Sequence, residues 1–310
     1  MKNAMRAIVR DRDGATLRDV RRPTVETADD VVIDVAVVGV CRTDLYVAEG
    51  RIACPEPLVL GHEFAGTVRA VGDGVRHMQP GDRVAVMPHL PCRTCETCLA
   101  GFDNACPHRA MLGVDKDGAF AETVRVPVAA VHHLPDSVDF LAAAYCEPIA
   151  ASLAVLKAPI QAHERGLIYG GNRIAALTHK ILKQRGFTNV GIFDPNAGVK
   201  LGANAYDFVI ETTATTEAMD EILRLVRPLG RVVLKSRDHR PVGIRLSTAV
   251  PKEISFHAVN YGSFREAINL CAEGKLDLTD LLGPRHALEQ FRDVFAAASE
   301  SEARKMFFEL

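Results

Sequence analysis

Four cysteines in one short segment constrain this 310-residue chain more than any other feature. They follow the pattern Cys92-x2-Cys95-x2-Cys98-x7-Cys106. Four thiolates on one loop match the ligand number of a tetrahedral structural zinc ion. In a reducing compartment, such clustering indicates a metal site rather than a disulfide framework. The sequence therefore predicts a closed zinc-binding lobe.

The composition excludes several classes of protein. A hydrophobic fraction of 48% and a charged fraction of 25% are typical of a soluble globular protein. Lys+Arg 37 against Asp+Glu 39 gives a formal net charge of -2, without the basic excess that nucleic-acid binding requires. The segment from Met1 to Arg10 contains no apolar stretch of signal-peptide length, and no later segment is apolar over the about 18 residues that a membrane span requires. We expect a cytoplasmic protein with no nucleic-acid or membrane partner.

The chain length predicts about two domains, and the pattern of elements changes between them. The first third contains short β-rich segments between turn residues, such as Val31 to Val40 and Phe64 to Val71, which indicate a barrel-like or sandwich-like β domain. From about Ala150, strand candidates such as Gly166 to Tyr169 alternate with helix candidates such as Ile174 to Arg185. This alternation predicts a parallel sheet wound with helices.

A second candidate metal site draws on three separate segments. Cys41 follows a hydrophobic strand, His62-Glu63 follows another apolar segment, and Glu147 lies between Cys146 and a proline. A thiol, an imidazole and a carboxylate suit a zinc ion that keeps a position open for water or substrate. Cys146 is an alternative ligand to Glu147 at this site.

Cys54 and Cys271 are the remaining cysteines, and each lies outside the four-cysteine cluster and far from the other cysteines in sequence. An isolated cysteine is most often a small buried side chain. We interpret both as ordinary small side chains.

Five motifs in this order resemble the zinc-dependent medium-chain dehydrogenase/reductase family: Gly39-Val-Cys-Arg-Thr-Asp44, Gly61-His-Glu-Phe-Ala-Gly66, Gly81-Asp-Arg-Val-Ala-Val86, the four-cysteine lobe and Gly118-Ala-Phe-Ala-Glu122. The resemblance covers essentially the whole chain. Its Glu147-Pro148 element is most similar to sorbitol, xylitol and sugar dehydrogenases, with threonine dehydrogenases as near relatives. The resemblance implies an α/β protein that forms a homodimer or homotetramer. Its GroES-like β-barrel catalytic domain would comprise residues 1–150 and 251–310, and its Rossmann-like cofactor domain residues 151–250.

The family resemblance also assigns metal ligands. It implies that Cys41 and His62 bind a catalytic zinc, with Glu63 or Glu147 completing the site directly or through a water. Asp44 would orient His62 from behind. With the cysteine lobe, this gives two zinc ions per chain.

The same resemblance implies a proton path. Thr43 would place its hydroxyl beside the substrate oxygen, and Tyr46 stands where many relatives have a relay histidine. Zinc would act as a Lewis acid on the alcohol, and the nicotinamide would accept the hydride.

The dinucleotide fingerprint Gly-x-Gly-x-x-Gly is altered in this chain. The matching segment is Gly170-Gly171-Asn172-Arg173-Ile174-Ala175. We expect Asn172 to replace the second glycine by tolerating a left-handed backbone, although its side chain would crowd a pyrophosphate. Asp194 ends the next strand, 24 positions after Gly170, where a carboxylate would bind the adenosine ribose and repel a 2'-phosphate. NAD is therefore favoured over NADP.

The cofactor domain is also short. Only 14 positions separate Asp194 from Phe208, the start of the next apolar strand, whereas a further βαβ unit takes roughly 30 residues. In the order 3-2-1-4-5-6 the third strand lies at an edge, so its loss leaves the remaining sheet intact. We predict that one edge strand and its helix are missing.

Three functions follow in order of preference. The first is a zinc-dependent oxidoreductase that transfers a hydride between a secondary alcohol (of a polyol, sugar, cyclitol or amino alcohol) and NAD, giving the ketone. The second is a zinc-dependent lyase, hydratase or isomerase on the same scaffold, with dinucleotide binding lost or reassigned. The third is a non-enzymatic, zinc-stabilised binding protein, which an open metal site with mixed ligands disfavours.

Overall fold

The computed structural model describes residues 3–237, 240–301 and 303–310. Its strands, in chain order, are β1 (Ala4–Asp11), β2 (Gly14–Arg21), β3 (Asp30–Gly39), β4 (Leu58–Val59), β5 (Glu63–Val71), β6 (Arg83–Val86), β7 (His89–Leu90), β8 (Ala110–Met111), β9 (Thr123–Pro127), β10 (Val131–His133), β11 (Gly166–Tyr169), β12 (Val190–Phe193), β13 (Tyr206–Glu211), β14 (Val226–Leu234), β15 (Ser255–Ala258), β16 (Leu282–His286) and β17 (Lys305–Glu309). Its α-helices are α1 (Arg42–Ala48), α2 (Glu96–Leu99), α3 (Phe140–Ala144), α4 (Cys146–Leu153), α5 (Arg173–Gln184), α6 (Thr216–Leu225), α7 (Leu246–Ala249), α8 (Phe264–Ala272) and α9 (Phe291–Glu300). None of the helices in this described part is both long and apolar enough to cross a membrane.

The chain forms two compact units. The first consists of Met1–Glu147, Phe264–Glu273 and Leu282–Leu310, and the second of Pro148–Ser263 and Gly274–Leu281. The first unit is therefore discontinuous in sequence, as the resemblance implies, because the tail of the chain returns to it.

A seven-stranded sheet forms the centre of the first unit. Its strands follow the order β10-β6-β5-β3-β17-β16, and β9 also pairs with β3. The tail enters this sheet through β17, which pairs antiparallel with β3 so that Phe307 lies opposite Gly39. Phe307 and Phe308 are fully buried, and this burial holds the tail strand in place.

The second unit contains a five-stranded parallel sheet. Its strand order is β12-β11-β13-β14-β15, which is the doubly wound order without the strand that would flank β12. Apolar clusters cover both faces, since Ile168 packs on one side and Leu167 and Tyr169 pack on the other. Burial on both faces explains why the β11 segment is a continuous apolar run. The predicted loss of one edge strand is confirmed.

The structure corrects the second boundary of the predicted cofactor domain, which the sequence placed at residue 250. β15 extends the parallel sheet by pairing with β14, and residues 274–281 also belong to the second unit. The sequence signal for β15 is weak because β15 is an edge strand, and its side chains are exposed or half-buried instead of forming a buried apolar run.

Candidate metal centres and nucleotide-binding turn

The four-cysteine lobe brings its sulfurs together as predicted. The Sγ atoms of Cys95 and Cys98 are 3.6 Å apart, those of Cys92 and Cys106 are 3.5 Å apart, and those of Cys95 and Cys106 are 3.9 Å apart. Four sulfurs around a tetrahedral zinc ion, each about 2.3 Å from it, lie about 3.8 Å from one another. The spacing of the thiols thus fits a zinc ion with all four positions filled by the chain.

Local backbone geometry builds this lobe. Arg93 and Gly101 adopt left-handed conformations with φ of 58° and 85°, which reverse the chain around the cluster. Hydrogen bonds from the backbone and hydroxyl of Thr94 lower the pKa of Cys92 to about 5, whereas burial raises the pKa of Cys98 to about 12. The lobe itself therefore stabilises the thiolate of Cys92, whereas the thiolate of the buried Cys98 needs a nearby cation.

Cys41, His62 and Glu63 form the second cluster. One ligand atom from each lies within 4.8 Å of the other two. Cys41 caps the N-terminus of α1, and Glu63 begins β5 directly after His62. Gly61 makes this turn with φ of 94°, and a Cβ atom there would lie 2.5 Å from the ring of Phe120. A thiol, an imidazole and a carboxylate at this separation fit a zinc ion, with one coordination position left open.

Asp44 holds this cluster in place from behind. Its carboxylate is fully buried and accepts hydrogen bonds from the backbone amides of Cys41 (2.8 Å) and Gly61 (3.2 Å). Its Oδ1 also lies 2.9 Å from Nδ1 of His62. One carboxylate therefore ties the start of α1 to the His62 turn and leaves Nε2 of His62 as the nitrogen available to a metal ion.

The surroundings of His62 favour its protonated form. Burial alone would lower the pKa of the imidazole, but the Asp44 carboxylate and the Cys41 side chain outweigh burial and raise the pKa well above 6.5. In the absence of metal, the site therefore concentrates a positive charge at the point where a metal ion would supply one.

Glu63 has a buried partner that the sequence did not reveal. Its Oε2 forms an ion pair with Nζ of Lys305 on β17, and both side chains are 1% exposed. A Cβ atom at residue 39 would lie 2.8 Å from the Glu63 carboxylate, so Gly39 leaves the space for this pair. The only sequence signal is the alternation of Lys305 and Phe307 in β17, which places the lysine on the same side of the strand as a buried phenylalanine.

The other predicted catalytic residues lie in the same unit. Thr43 and Tyr46 are three positions apart on α1 and half-buried, so they share one side of the helix. The Arg51 guanidinium stacks 3.9 Å from the centre of the Tyr46 ring. Glu147 is buried in the first turn of α4, but it is not part of the ligand cluster found among the described residues.

The altered glycine turn in the second unit keeps its shape by a different means from the one expected. Gly170 has φ of 137°, and a Cβ atom there would lie 2.2 Å from Oγ1 of Thr212. Asn172 is extended, with φ of -96°, rather than left-handed. Its side chain caps α5 by accepting a hydrogen bond from the Ala175 amide, and it donates one to the Thr212 carbonyl. Asparagine serves this turn as a helix cap, because an N-cap residue takes an extended backbone.

Asp194 lies against the same turn. A Cβ atom on Gly171 would be 2.6 Å from Oδ2 of Asp194, so a glycine is needed where the carboxylate approaches. The other carboxylate oxygen accepts a hydrogen bond from the Asn196 amide at 2.9 Å. Arg173 and Ile174 begin α5 immediately after Asn172. A glycine turn, a helix N-terminus and an adjacent carboxylate fit the phosphates and ribose of a dinucleotide.

Comparison with known proteins agrees with this geometry. The alcohol dehydrogenase GroES-like domain family matches residues 27–136. L-threonine 3-dehydrogenase of Bacillus velezensis is 28% identical over 99% of both chains, and sorbitol dehydrogenase of Bacillus subtilis is 29% identical over 92% of both. The matched domain and these relatives support the zinc-dependent medium-chain dehydrogenase/reductase family for this chain.

Solved structures of dehydrogenases are similar to this chain over nearly its whole length. A protein from Sinorhizobium meliloti assigned as a zinc-binding dehydrogenase, solved with NADP, has a TM-score of 0.91 and 27% identity over 99% of both chains. Galactitol-1-phosphate dehydrogenase from Escherichia coli has a TM-score of 0.88 and 26% identity over 99% of this chain and 100% of that chain.

This chain is shorter than the threonine dehydrogenase it resembles. Their alignment extends over 346 positions against the 310 residues of this chain, so at least 36 positions of that relative have no counterpart. In the structure only residues 194–205 join β12 to β13, which is too few for a strand, a helix and their loops.

Proposed function

We propose that this chain oxidises a secondary alcohol of a polyol, sugar, cyclitol or amino alcohol to the ketone, with NAD as the hydride acceptor. The observation that carries the proposal is the cluster of Cys41, His62 and Glu63, in which Asp44 fixes the imidazole. Mixed ligands with an open position are typical of catalytic rather than structural zinc. The relatives named as threonine and sorbitol dehydrogenases act on alcohols of these classes.

The residues of the first unit have distinct roles in this proposal. A zinc ion bound there would act as a Lewis acid toward the alcohol oxygen. Cys41 and His62 would hold the ion, with Glu63 or Glu147 completing the site. Thr43 would accept the proton of the substrate hydroxyl and pass it toward Tyr46 on the same side of α1. The lobe of Cys92, Cys95, Cys98 and Cys106 would hold a second, structural zinc ion.

The second unit would bind the dinucleotide at the Gly170 turn. The N-terminus of α5 would attract the pyrophosphate, and Asp194 would accept hydrogen bonds from the adenosine ribose. The same carboxylate disfavours a 2'-phosphate, which supports NAD over NADP. The Sinorhizobium meliloti relative was solved with NADP, so the preference of this chain for NAD has to be tested by experiment.

The test uses zinc-loaded protein, a panel of secondary alcohols, and the absorbance of the reduced nicotinamide. We expect reduction of NAD with at least one polyol, sugar or amino alcohol, and tighter calorimetric binding of NAD than of NADP. Thr43→Val should lose activity while keeping its zinc, and Thr43→Ser, which retains a hydroxyl, should keep most of it. Equal activity of the two variants would exclude Thr43 from the proton path.

A zinc-dependent lyase, hydratase or isomerase is the second candidate. It is favoured by the altered glycine motif and the missing edge unit of the second unit. This candidate predicts that substrate is converted without any change in nicotinamide absorbance, and its form that has lost the dinucleotide predicts that calorimetry detects no dinucleotide binding. Tight, saturable binding of NAD would rule out the form of this candidate that has lost its dinucleotide.

We also propose that the chain assembles as a homodimer or homotetramer, as the family resemblance implies. Sedimentation of the zinc-loaded protein tests this proposal, and a monomer at all concentrations would contradict it.

A further inference from the structure

Two thiols outside both metal clusters lie close together in the first unit. The Sγ atoms of Cys146 and Cys271 are 3.9 Å apart, although 125 positions separate them in sequence. Cys146 begins α4, and Cys271 lies near the end of α8. Both thiols also approach one acceptor, the carbonyl of Ala142, at 3.7 and 3.9 Å. The fold therefore directs two distant cysteines to a single point.

We propose that Cys146 and Cys271 are an oxidation site, at which a peroxide converts the two thiols into a disulfide bond. Sulfurs in a disulfide are about 2.05 Å apart, so the two Sγ atoms would approach each other by about 1.9 Å. Both thiols are free and already face the same carbonyl. Rotation of the two side chains with a small shift of a helix end closes a gap of this size.

Burial decides the order of the chemical steps. Cys146 is fully buried, whereas Cys271 is partly exposed, so the peroxide reaches Cys271 first. The Cys271 sulfur attacks one peroxide oxygen, the O–O bond breaks, and one water leaves as a sulfenic acid forms. The Cys146 sulfur then attacks the Cys271 sulfur, the S–O bond breaks, and a second water leaves. Two thiols lose two electrons and two protons in total, and one hydrogen peroxide is reduced to two waters.

The position of this pair suggests a consequence for activity, and this part rests on the proposed function. Glu147 follows Cys146 directly and is buried in the first turn of α4. If the helix end that shifts is the start of α4, closing the disulfide also displaces the peptide that carries Glu147. We therefore expect the disulfide to lower dehydrogenase activity, and reduction by dithiothreitol to restore it.

Mass spectrometry of zinc-loaded protein tests the disulfide itself. The protein is treated with hydrogen peroxide, remaining thiols are blocked with iodoacetamide, and the digest is searched for linked peptides. We expect a peptide pair joining Cys146 to Cys271 with the loss of two hydrogens, which disappears on reduction. Cys54→Ser is the matched control, because Cys54 packs against an apolar cluster that includes neither Cys146 nor Cys271, and this variant should form the same link. Cys271→Ser should not.

Two results would contradict the disulfide. In the first, Cys271 is oxidised only to its sulfur acids, while iodoacetamide still alkylates Cys146 once the protein is unfolded. In the second, iodoacetamide fully alkylates both cysteines after peroxide treatment. Zinc content and circular dichroism establish that each variant is folded, and Cys271→Ala provides a second variant if the serine disturbs α8.

The activity measurement separates this inference from the proposed function. We expect peroxide to inactivate the wild type and Cys54→Ser reversibly, while Cys271→Ser retains its activity under the same treatment. If the linked peptide forms without loss of activity, only the proposed effect on Glu147 is disproved, and the disulfide itself stands. Reduced protein that oxidises no alcohol would disprove the proposed function, while the linked peptide would still decide the disulfide.

Discussion

The two units preserve their candidate sites in different ways. The metal clusters of the first unit use side-chain atoms, and each family motif there is intact at the positions of Cys41, His62 and the four lobe cysteines. The turn of the second unit departs from the glycine fingerprint and its sheet lacks an edge strand, yet Asn172 and Asp194 maintain a compact turn.

This difference follows from what each ligand requires. A zinc ion fixes both the type of donor atom and its distance, so a changed ligand loses the site. A pyrophosphate is bound largely by backbone amides at a helix N-terminus, and several sequences can place those amides. Tolerance of sequence change should therefore be low in the first unit and higher in the second. The following variants test that contrast, from the largest expected effect to the smallest.

Loss of a metal ligand should have the largest effect. His62→Ala removes the imidazole of the open cluster, and a catalytic zinc supplies several kcal/mol, so we expect activity to fall about a thousandfold or more. Bound zinc should fall by one ion per chain while the lobe keeps its own. His163→Ala, which removes an exposed histidine of the second unit, is the control. Unchanged zinc content in His62→Ala would contradict the assignment.

Lys305→Met tests the buried ion pair beneath the open cluster. It leaves the Glu63 carboxylate buried without its partner, so the free energy of unfolding should fall by about 3–5 kcal/mol. Combining it with Glu63→Gln should recover part of this loss, as measured by denaturant unfolding. Lys116→Met, at an exposed lysine of the same unit, should change stability little. If Lys305→Met changes the free energy of unfolding as little as Lys116→Met does, the ion pair contributes nothing to stability.

Asp44→Asn tests the support behind His62. The amide cannot accept the three hydrogen bonds of the carboxylate equally well, so zinc affinity at the open cluster should fall about 10–100-fold. Asp139→Asn alters a carboxylate that caps α3 in the same unit, and it should leave zinc affinity unchanged. Similar zinc affinity in the two variants would argue against a role for Asp44 in orienting the imidazole.

Zinc uptake by the open cluster should depend on pH because the pKa of His62 is raised. In metal-free protein the protonated imidazole contributes stability that is fully present below pH 6.5 and is lost as the pH rises through the higher folded pKa. Zinc binds the neutral ring, so its affinity should increase with pH over that range by about tenfold per unit for each proton released. Competition with a chromophoric chelator measures this slope, and a flat profile would contradict it.

The smallest effect is expected at the nucleotide-binding turn. Asn172→Ala removes the cap of α5, which costs about 1 kcal/mol of stability, whereas Asn172→Gly costs a few tenths. We expect calorimetry to show weaker NAD binding for Asn172→Ala but not for Thr215→Ala, which removes the cap of α6 in the same unit. If NAD affinity is the same for both variants, Asn172 acts only as a cap.

Much of the fold could be predicted from local patterns. The apolar run of β11 and the short connection after Asp194 correctly indicated a parallel sheet without one edge strand. The edge strand β15 was not detected, since a half-exposed strand carries a weak apolar pattern. The left-handed backbone expected at Asn172 was wrong, because a single residue type can either occupy that conformation or cap a helix.

The sequence by itself determined the kinds of donor atom and their order along the chain, because cysteine, histidine and carboxylate side chains have fixed metal-binding chemistry. Only the tertiary structure decided which of them meet. It placed Glu63 rather than Glu147 within the cluster of Cys41 and His62, and it buried Lys305 against Glu63. It also brought Cys271, interpreted from the sequence as an ordinary small side chain, to Cys146. Such contacts join residues far apart in sequence, and their distances depend on how strands and helices pack, which no local pattern encodes.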